Sequence, residues 1–135
     1  VPARTIDSYN FEDVDAIKID VEGSELLVMQ GAKDTIERCR PSIQVEIVPK
    51  QCALFGYDPQ DLYNYMAKYD YVCVSAIRRA ANADQRGMFF GQDIGMEHKQ
   101  IKKYMDRLFV PREIHESTDY GAMAQADNTF NKLFS

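Results

Sequence analysis

VDAIKIDVEGSELLVMQGAKDTIERCRPSIQVEIV, residues 14–48, decides the fold. In VDAIKIDV (14–21), Ile17, Ile19 and Val21 alternate with Lys18 and Asp20, the period-two pattern of a strand. Gly23 breaks that strand, and Ser24 suits a helix N-cap. Over 25–39 the spacing changes to three and four, with Leu26, Met29, Ala32 and Ile36 on one stripe. Gly31 interrupts this run, so a kink or two short helices fit as well as one straight helix. Arg38 and Arg40 suit a helix carboxyl end, and Pro41 closes it. SIQVEIV (42–48) is a second strand with Ile43, Val45 and Ile47 on one face, ended by Pro49. The stretch is therefore a β-α-β unit.

Downstream, FGYDPQD (55–61) turns the chain, with Asp58 as N-cap and Pro59 at the first helical position. The helix that follows runs to about Tyr69 and presents Leu62, Tyr65, Met66 and Tyr69. YVCVSAI (71–77) reads as a third strand, 78–86 as a polar loop, and GMFFG (87–91) as a fourth strand. The third and fourth are expected to pair as an antiparallel hairpin. Over 97–109, Ile101, Tyr104, Met105, Leu108 and Phe109 form a stripe that predicts an amphipathic helix. Beyond Pro111 the chain is polar and weakly patterned. Alternating strands and helices imply an α/β fold with parallel strands and an antiparallel edge. The expected organisation is one α/β unit over 1–95 and a helical or irregular tail over 96–135.

Composition narrows the function. The 135 residues carry a net charge of −5, which argues against nucleic acid or an anionic membrane as the main partner. No apolar run approaches the roughly 20 residues of a membrane span. Cys39, Cys52 and Cys73 form no metal-binding pattern and read as free thiols of a reducing, cytoplasmic compartment. His98 and His115 have no partner motif. No metal is expected.

In open α/β sheets ligands bind beyond the carboxyl ends of the strands. Asp20 and Glu22 stand at that end of the first strand, and Glu46 near that of the second. Asp20 has the chemistry to orient a substrate hydroxyl or amine, or to accept its proton. Glu22 suits a hydroxyl of substrate or cofactor. Glu25, in the first helical turn, suits the helix dipole. A purely structural account fits the same spacing, with Lys18 pairing Glu46 or Gln44 across strands. Divalent metal on Asp20, Glu22 and Glu46 is chemically admissible, but no ligand loop accompanies them. Tyr57, Tyr63, Tyr65, Tyr69 and Tyr71 would line a pocket or simply pack. Arg78, Arg79 and Arg86 would meet an anion or stay solvated.

Residues 13–47 resemble the core of the FkbM-type methyltransferases. The matching pattern is K-I-D-V-E-G-x-E (Lys18 to Glu25), then Q-G-A (Gln30 to Ala32), then R-P-x-I-x-V-E-I (Arg40 to Ile47). Thr5 to Ser8 fit a short upstream T-L-D element, and Gly56-Tyr57 a downstream one. The resemblance implies a Rossmann-like fold of parallel strands ending in an antiparallel hairpin. It implies methyl transfer from S-adenosylmethionine to a hydroxyl of a sugar, lipid-linked or secondary-metabolite acceptor. Asp20 would sit beside the reacting methyl group and the cofactor, and Glu22 and Glu46 would shape the acceptor side. No GxG occurs in the chain, so the family's glycine-rich cofactor turn is absent. The chain begins Val1-Pro2, and the resemblance implies the carboxyl-terminal portion of the domain, a fragment.

Two functions follow. One is an O-methyltransferase completed elsewhere. The alternative is a non-catalytic, methyltransferase-like association module. In either case homo-oligomerisation through an exposed sheet edge or the 97–109 helix is the expected partnership.

Overall fold

The computed structural model describes residues 1–74, 78–79, 88–89 and 105–117. The strands are β1 (Ala16–Ile19), β2 (Ser42–Ile47), β3 (Tyr71–Val74), β4 (Arg78–Arg79), β5 (Met88–Phe89) and β6 (Met105–Pro111). The helices are α1 (Glu25–Gln30), α2 (Lys33–Cys39), α3 (Pro49–Leu54), α4 (Pro59–Ala67) and α5 (Arg112–Ser117), preceded by a 3-10 turn at Ile6–Tyr9. The fold is mixed α/β, with a four-stranded sheet in the order β1-β2-β6-β3.

β1 and β2 are parallel, in register from Ala16↔Ser42 to Ile19↔Val45. The apolar run breaks at Gly31 into two helices, as the glycine allows. Ile43, Val45 and Ile47 are buried and alternate with half-buried Ser42, Gln44 and Glu46, as the period predicts. α4 starts at Pro59 behind an Asp58–Asp61 capping box, which satisfies two orphan amide donors reciprocally.

Two elements differ from the sequence expectation. Residues 105–109 lie in a strand, not in the predicted 97–109 helix; residues 97–104 fall outside the described part. β6 is the antiparallel insert between β2 and β3, pairing Val45↔Arg107 on one side and Cys73↔Phe109 on the other. A strand buried on both faces loses polar alternation, and LFV (108–110) inside a longer run also satisfies a helical period. The third strand thus pairs with β6 rather than with the 87–91 segment. Antiparallel pairing across the polar loop does occur, but through β4 and β5, with Arg78↔Phe89 and Arg79↔Met88. The second difference is α3, which begins at Pro49. Proline ended the strand as expected and also opened a helix, because a first-turn amide needs no partner.

The helices cover one face. Ile19, Ile43, Val45, Ile47, Phe109, Tyr71 and Cys73 from the sheet meet Met29, Ala32, Ile36, Cys52, Leu62, Tyr63 and Met66. The Tyr63 and Phe109 rings are tilted at 5.5 Å between centroids. Burial pushes the Tyr63 phenol up to about 12, with the Arg107 guanidinium opposing it. Val72, Val74, Leu108 and Val110 form a second cluster on the opposite face.

Two polar clamps fix the periphery. The Asp7 carboxylate accepts from the Asp34 and Thr35 amides at 3.0 and 2.9 Å and from the Thr35 hydroxyl at 2.8 Å. A residue distant in sequence therefore caps α2, whose own N-cap, Ala32, has no side-chain acceptor. Burial alone would raise the Asp7 carboxyl, but these hydrogen bonds hold it below its ordinary value. At the other end of the sheet Arg40, in the left-handed region at φ 53°, forms a fork with Glu113 at 2.7 and 2.9 Å. Its guanidinium also donates to the Tyr69 and Asp70 carbonyls and lies 4.7 Å from the Tyr71 ring centroid.

Candidate functional site

The carboxyl end of β1 leads directly into a tight turn, Asp20–Ser24. Glu22 has φ 51° and Gly23 has φ 114°, so two successive residues occupy left-handed backbone. At Gly23 this costs little, because glycine has no Cβ. At Glu22 it is a strained conformation that persists only if neighbours enforce it. Gly23 also lies hard against α3: a Cβ there would fall 2.7 Å from the Gln51 carbonyl oxygen and 2.8 Å from the Phe55 ring. Glycine is thus required twice, by conformation and by close approach.

The turn leaves Asp20 and Glu22 exposed to solvent while Gly23 and Glu25 are buried. Ser24 precedes α1, yet its hydroxyl bonds back to the Val21 carbonyl at 3.1 Å instead of capping the helix. Glu25 is 2% exposed. One of its oxygens accepts from the Gly23 amide and the other from the Tyr57 hydroxyl, each at 2.9 Å. Burial first, then its bonds to Cys52 and Glu25, raise the Tyr57 phenol above its ordinary range, so it remains a donor. Burial likewise raises the Cys52 thiol.

Glu46 is on β2, one residue beyond the Ile19↔Val45 pair that ends the ladder, and Asp20 is the first residue after β1. Both therefore stand at the carboxyl ends of the two parallel strands, with Glu22 in the turn that follows Asp20. Lys18 is in backbone register with Gln44 on β2. Of the five tyrosines, only Tyr57 reaches the turn. Tyr65 and Tyr69 pack together at 5.2 Å, the Tyr71 hydroxyl bonds the Pro41 carbonyl, and Tyr63 is in the core. Arg78 and Arg79 lie in β4, whereas Arg86 and His98 fall outside the described residues. His115 is on α5, far in sequence and element from the acidic turn.

Glu25 stands in the first turn of α1, as the sequence reading expects, and it is in addition a buried hydrogen-bond hub, which that reading does not show. A signal was present: Glu25 stands four residues before Met29, seven before Ala32 and eleven before Ile36, at the head of the buried stripe.

Among the described residues, no three His, Cys, Asp or Glu side chains are grouped so as to hold a metal ion. No helix of the described residues is long and apolar enough to cross a membrane. A wide, shallow surface hollow of about 660 Å³ is lined by Ile6, Phe11 and residues 13–18, which include β1. Val21, Leu54 and Phe55 add exposed apolar surface, Phe55 directly beside Gly23. The arrangement offers two solvent-facing carboxylates on a turn packed closely against α3, next to exposed apolar side chains. Such a site can orient a hydroxyl, take up its proton, or face a cation.

Among protein families, the model described as "Methyltransferase FkbM domain" matches residues 1–73. No curated protein and no solved structure matches the chain.

Proposed function

We propose, on the premise that this chain belongs to the FkbM methyltransferase family, that it forms the acceptor side of an S-adenosylmethionine-dependent O-methyltransferase. The observation that carries this reading is the Asp20–Gly23 turn. A strained Glu22 and a required glycine present Asp20 to solvent at the carboxyl end of a parallel strand. Strain of this kind concentrates at sites where placement matters. The parallel β1–β2 pair with an antiparallel β6 beyond it agrees with a Rossmann-like methyltransferase sheet.

The residues present fit one part of the cofactor. S-adenosylmethionine supplies an activated methyl on a cationic sulfonium, and exposed carboxylates suit that charge. Asp20 is the residue that would face it. The glycine-rich turn that would hold the rest of the cofactor does not occur in this sequence. β1 ends the main sheet of the described strands on one side, and in this reading a further strand, from a longer protein or a second copy, pairs with that edge.

In this reading the chain's own work is positioning. Asp20 orients the acceptor hydroxyl and accepts its proton. Glu22 and Glu46 hold neighbouring hydroxyls of a sugar, lipid-linked or secondary-metabolite acceptor. Aligning two reactants is the largest contribution available when the leaving group is already activated.

The test is transfer of labelled methyl from S-adenosylmethionine to a panel of methyl glycosides and polyprenyl-linked sugars. Transfer that falls at least about tenfold in Asp20→Ala supports the reading. No transfer to any acceptor, or an unaltered Asp20→Ala rate, overturns it and leaves the association module.

A further inference from the structure

We propose that Glu25 and Tyr57 act together as a positioning pair that holds the Asp20–Gly23 turn in its working placement; this rests on the methyltransferase reading. The argument starts from what the turn requires. Glu22 sits at φ 51° with a full side chain, and Gly23 follows at φ 114°. A short turn with two left-handed residues has many cheaper conformations open to it. Something must remove them, since strain survives only where the surroundings over-determine it.

Two restraints meet at Gly23. From one side the α3 backbone closes in, with the Gln51 carbonyl where a Cβ would stand. From the other side the Glu25 carboxylate takes the Gly23 amide at 2.9 Å. The first restraint excludes positions; the second selects one orientation of the peptide plane between Glu22 and Gly23. That plane adjoins the residue whose strain needs support, two positions from Asp20.

A carboxylate used this way must itself be immobile. Glu25 is buried at 2% exposure, and its other oxygen is taken by the Tyr57 hydroxyl at 2.9 Å. Tyr57 lies between α3 and α4, so the bond ties the acidic turn to a separate part of the framework. Tyr57 is 32 residues from Glu25 in sequence, and its ring packs against the main core. The chain of support therefore runs from core to Tyr57, to Glu25, to the Gly23 amide, and so to Asp20. Neither Glu25 nor Tyr57 needs to touch substrate.

This role differs from a helix-dipole role in one testable respect. A dipole needs the negative charge; an orientation role needs acceptor geometry. In Glu25→Gln the amide oxygen still accepts from Gly23, and the amide nitrogen donates to the Tyr57 oxygen, so the geometry is kept without charge. Glu25→Ala removes both bonds, and Tyr57→Phe removes only the anchoring one.

The experiment measures amide exchange at Gly23 by NMR and, in parallel, kcat and KM for methyl transfer, using the whole protein. The expected result is Gly23 exchange about tenfold faster or more in Glu25→Ala, less so in Tyr57→Phe, and restored toward wild type in Glu25→Gln. Transfer should follow in kcat by about tenfold, with KM for S-adenosylmethionine within about twofold. Should Glu25→Ala not fold, Tyr57→Phe and Glu25→Gln carry the comparison alone. Unaltered Gly23 exchange in Tyr57→Phe and Glu25→Ala, or Glu25→Gln no better than Glu25→Ala, overturns the proposal. A wild-type protein that transfers no methyl overturns the enzyme reading instead, while the exchange series still decides whether the pair holds the turn.

Discussion

Replacing Gly23 with alanine separates two kinds of constraint. The first is conformational: at φ 114° an L residue is strained, which costs about 1–3 kcal/mol. The second is steric, because the new Cβ would stand 2.7 Å from a backbone oxygen that cannot rotate away. Forcing extra volume into such a contact costs a further 1–3 kcal/mol, roughly. The sum is about 2–6 kcal/mol, a large share of the stability of a small domain. Gly56 provides the control. It too has positive φ, 79°, but a Cβ there meets nothing within 4 Å. Gly56→Ala therefore carries only the conformational part. Urea unfolding of wild type, Gly56→Ala and Gly23→Ala, with equal m-values, gives both costs. The expected order is Gly23→Ala below Gly56→Ala below wild type, the two variants differing by at least about 1 kcal/mol. Equal costs would refute the claim that α3 crowds the turn.

Further results are expected. Asp7→Ala leaves two α2 amides and the fully buried Thr35 hydroxyl without their acceptor, and should lose about 2–3 kcal/mol in urea unfolding, with Asp7→Asn intermediate. Because the Asp7 carboxyl is held below its ordinary value, its contribution is present above the unfolded pKa and fades as pH falls through the lower folded one; the Asp7→Ala difference should shrink on acidification. Hydrogen bonding from Arg40 lowers Glu113 from 4.5 to about 2, so the stability it adds is complete above about pH 4.5 and disappears toward pH 2. The Glu113 side chain is 53% exposed, so the wild type minus Glu113→Gln difference should stay below about 1 kcal/mol and fall with salt. Arg40→Lys should destabilise more than Glu113→Gln, because an ammonium cannot reproduce the fork, the carbonyl bonds and the stacking on Tyr71 together; thermal unfolding of the two variants decides this.

The first half of the fold was legible because its signals are local. Alternation at Ile17 and Ile19, three-four spacing at Met29, Ala32 and Ile36, and punctuation by Gly31, Pro41 and Pro59 each concern neighbours in sequence. Asp58 announced its helix for the same reason. What escaped depends on partners far along the chain. Met105 to Pro111 becomes a strand because β2 and β3 flank it on both edges, which no local period reveals. Pro49 carries two compatible meanings, strand end and helix start, and its local sequence signals only the first. At the site, the positions of Asp20, Glu22 and Glu46 followed from strand ends alone. The role of Glu25 did not, since it depends on a tyrosine hydroxyl contributed from beyond the next strand.

The place of β6 in the sheet has a consequence for how the chain comes off the ribosome. The sheet partners of its Phe109, Ile43 on β2 and Cys73 on β3, are both synthesised well before Phe109 emerges. Until then β3 lacks its only neighbour among the described strands, and the inner edge of β2 lacks its own. The β-α-β-α-β segment must wait, its apolar strand faces unsatisfied, for a late-arriving keystone. Long-range pairing of this kind slows folding and prolongs exposure to aggregation. A nascent chain stalled shortly before residue 105 should therefore be protease-sensitive and a chaperone client, whereas one extended past Pro111 has all four described strands of the main sheet available to pair.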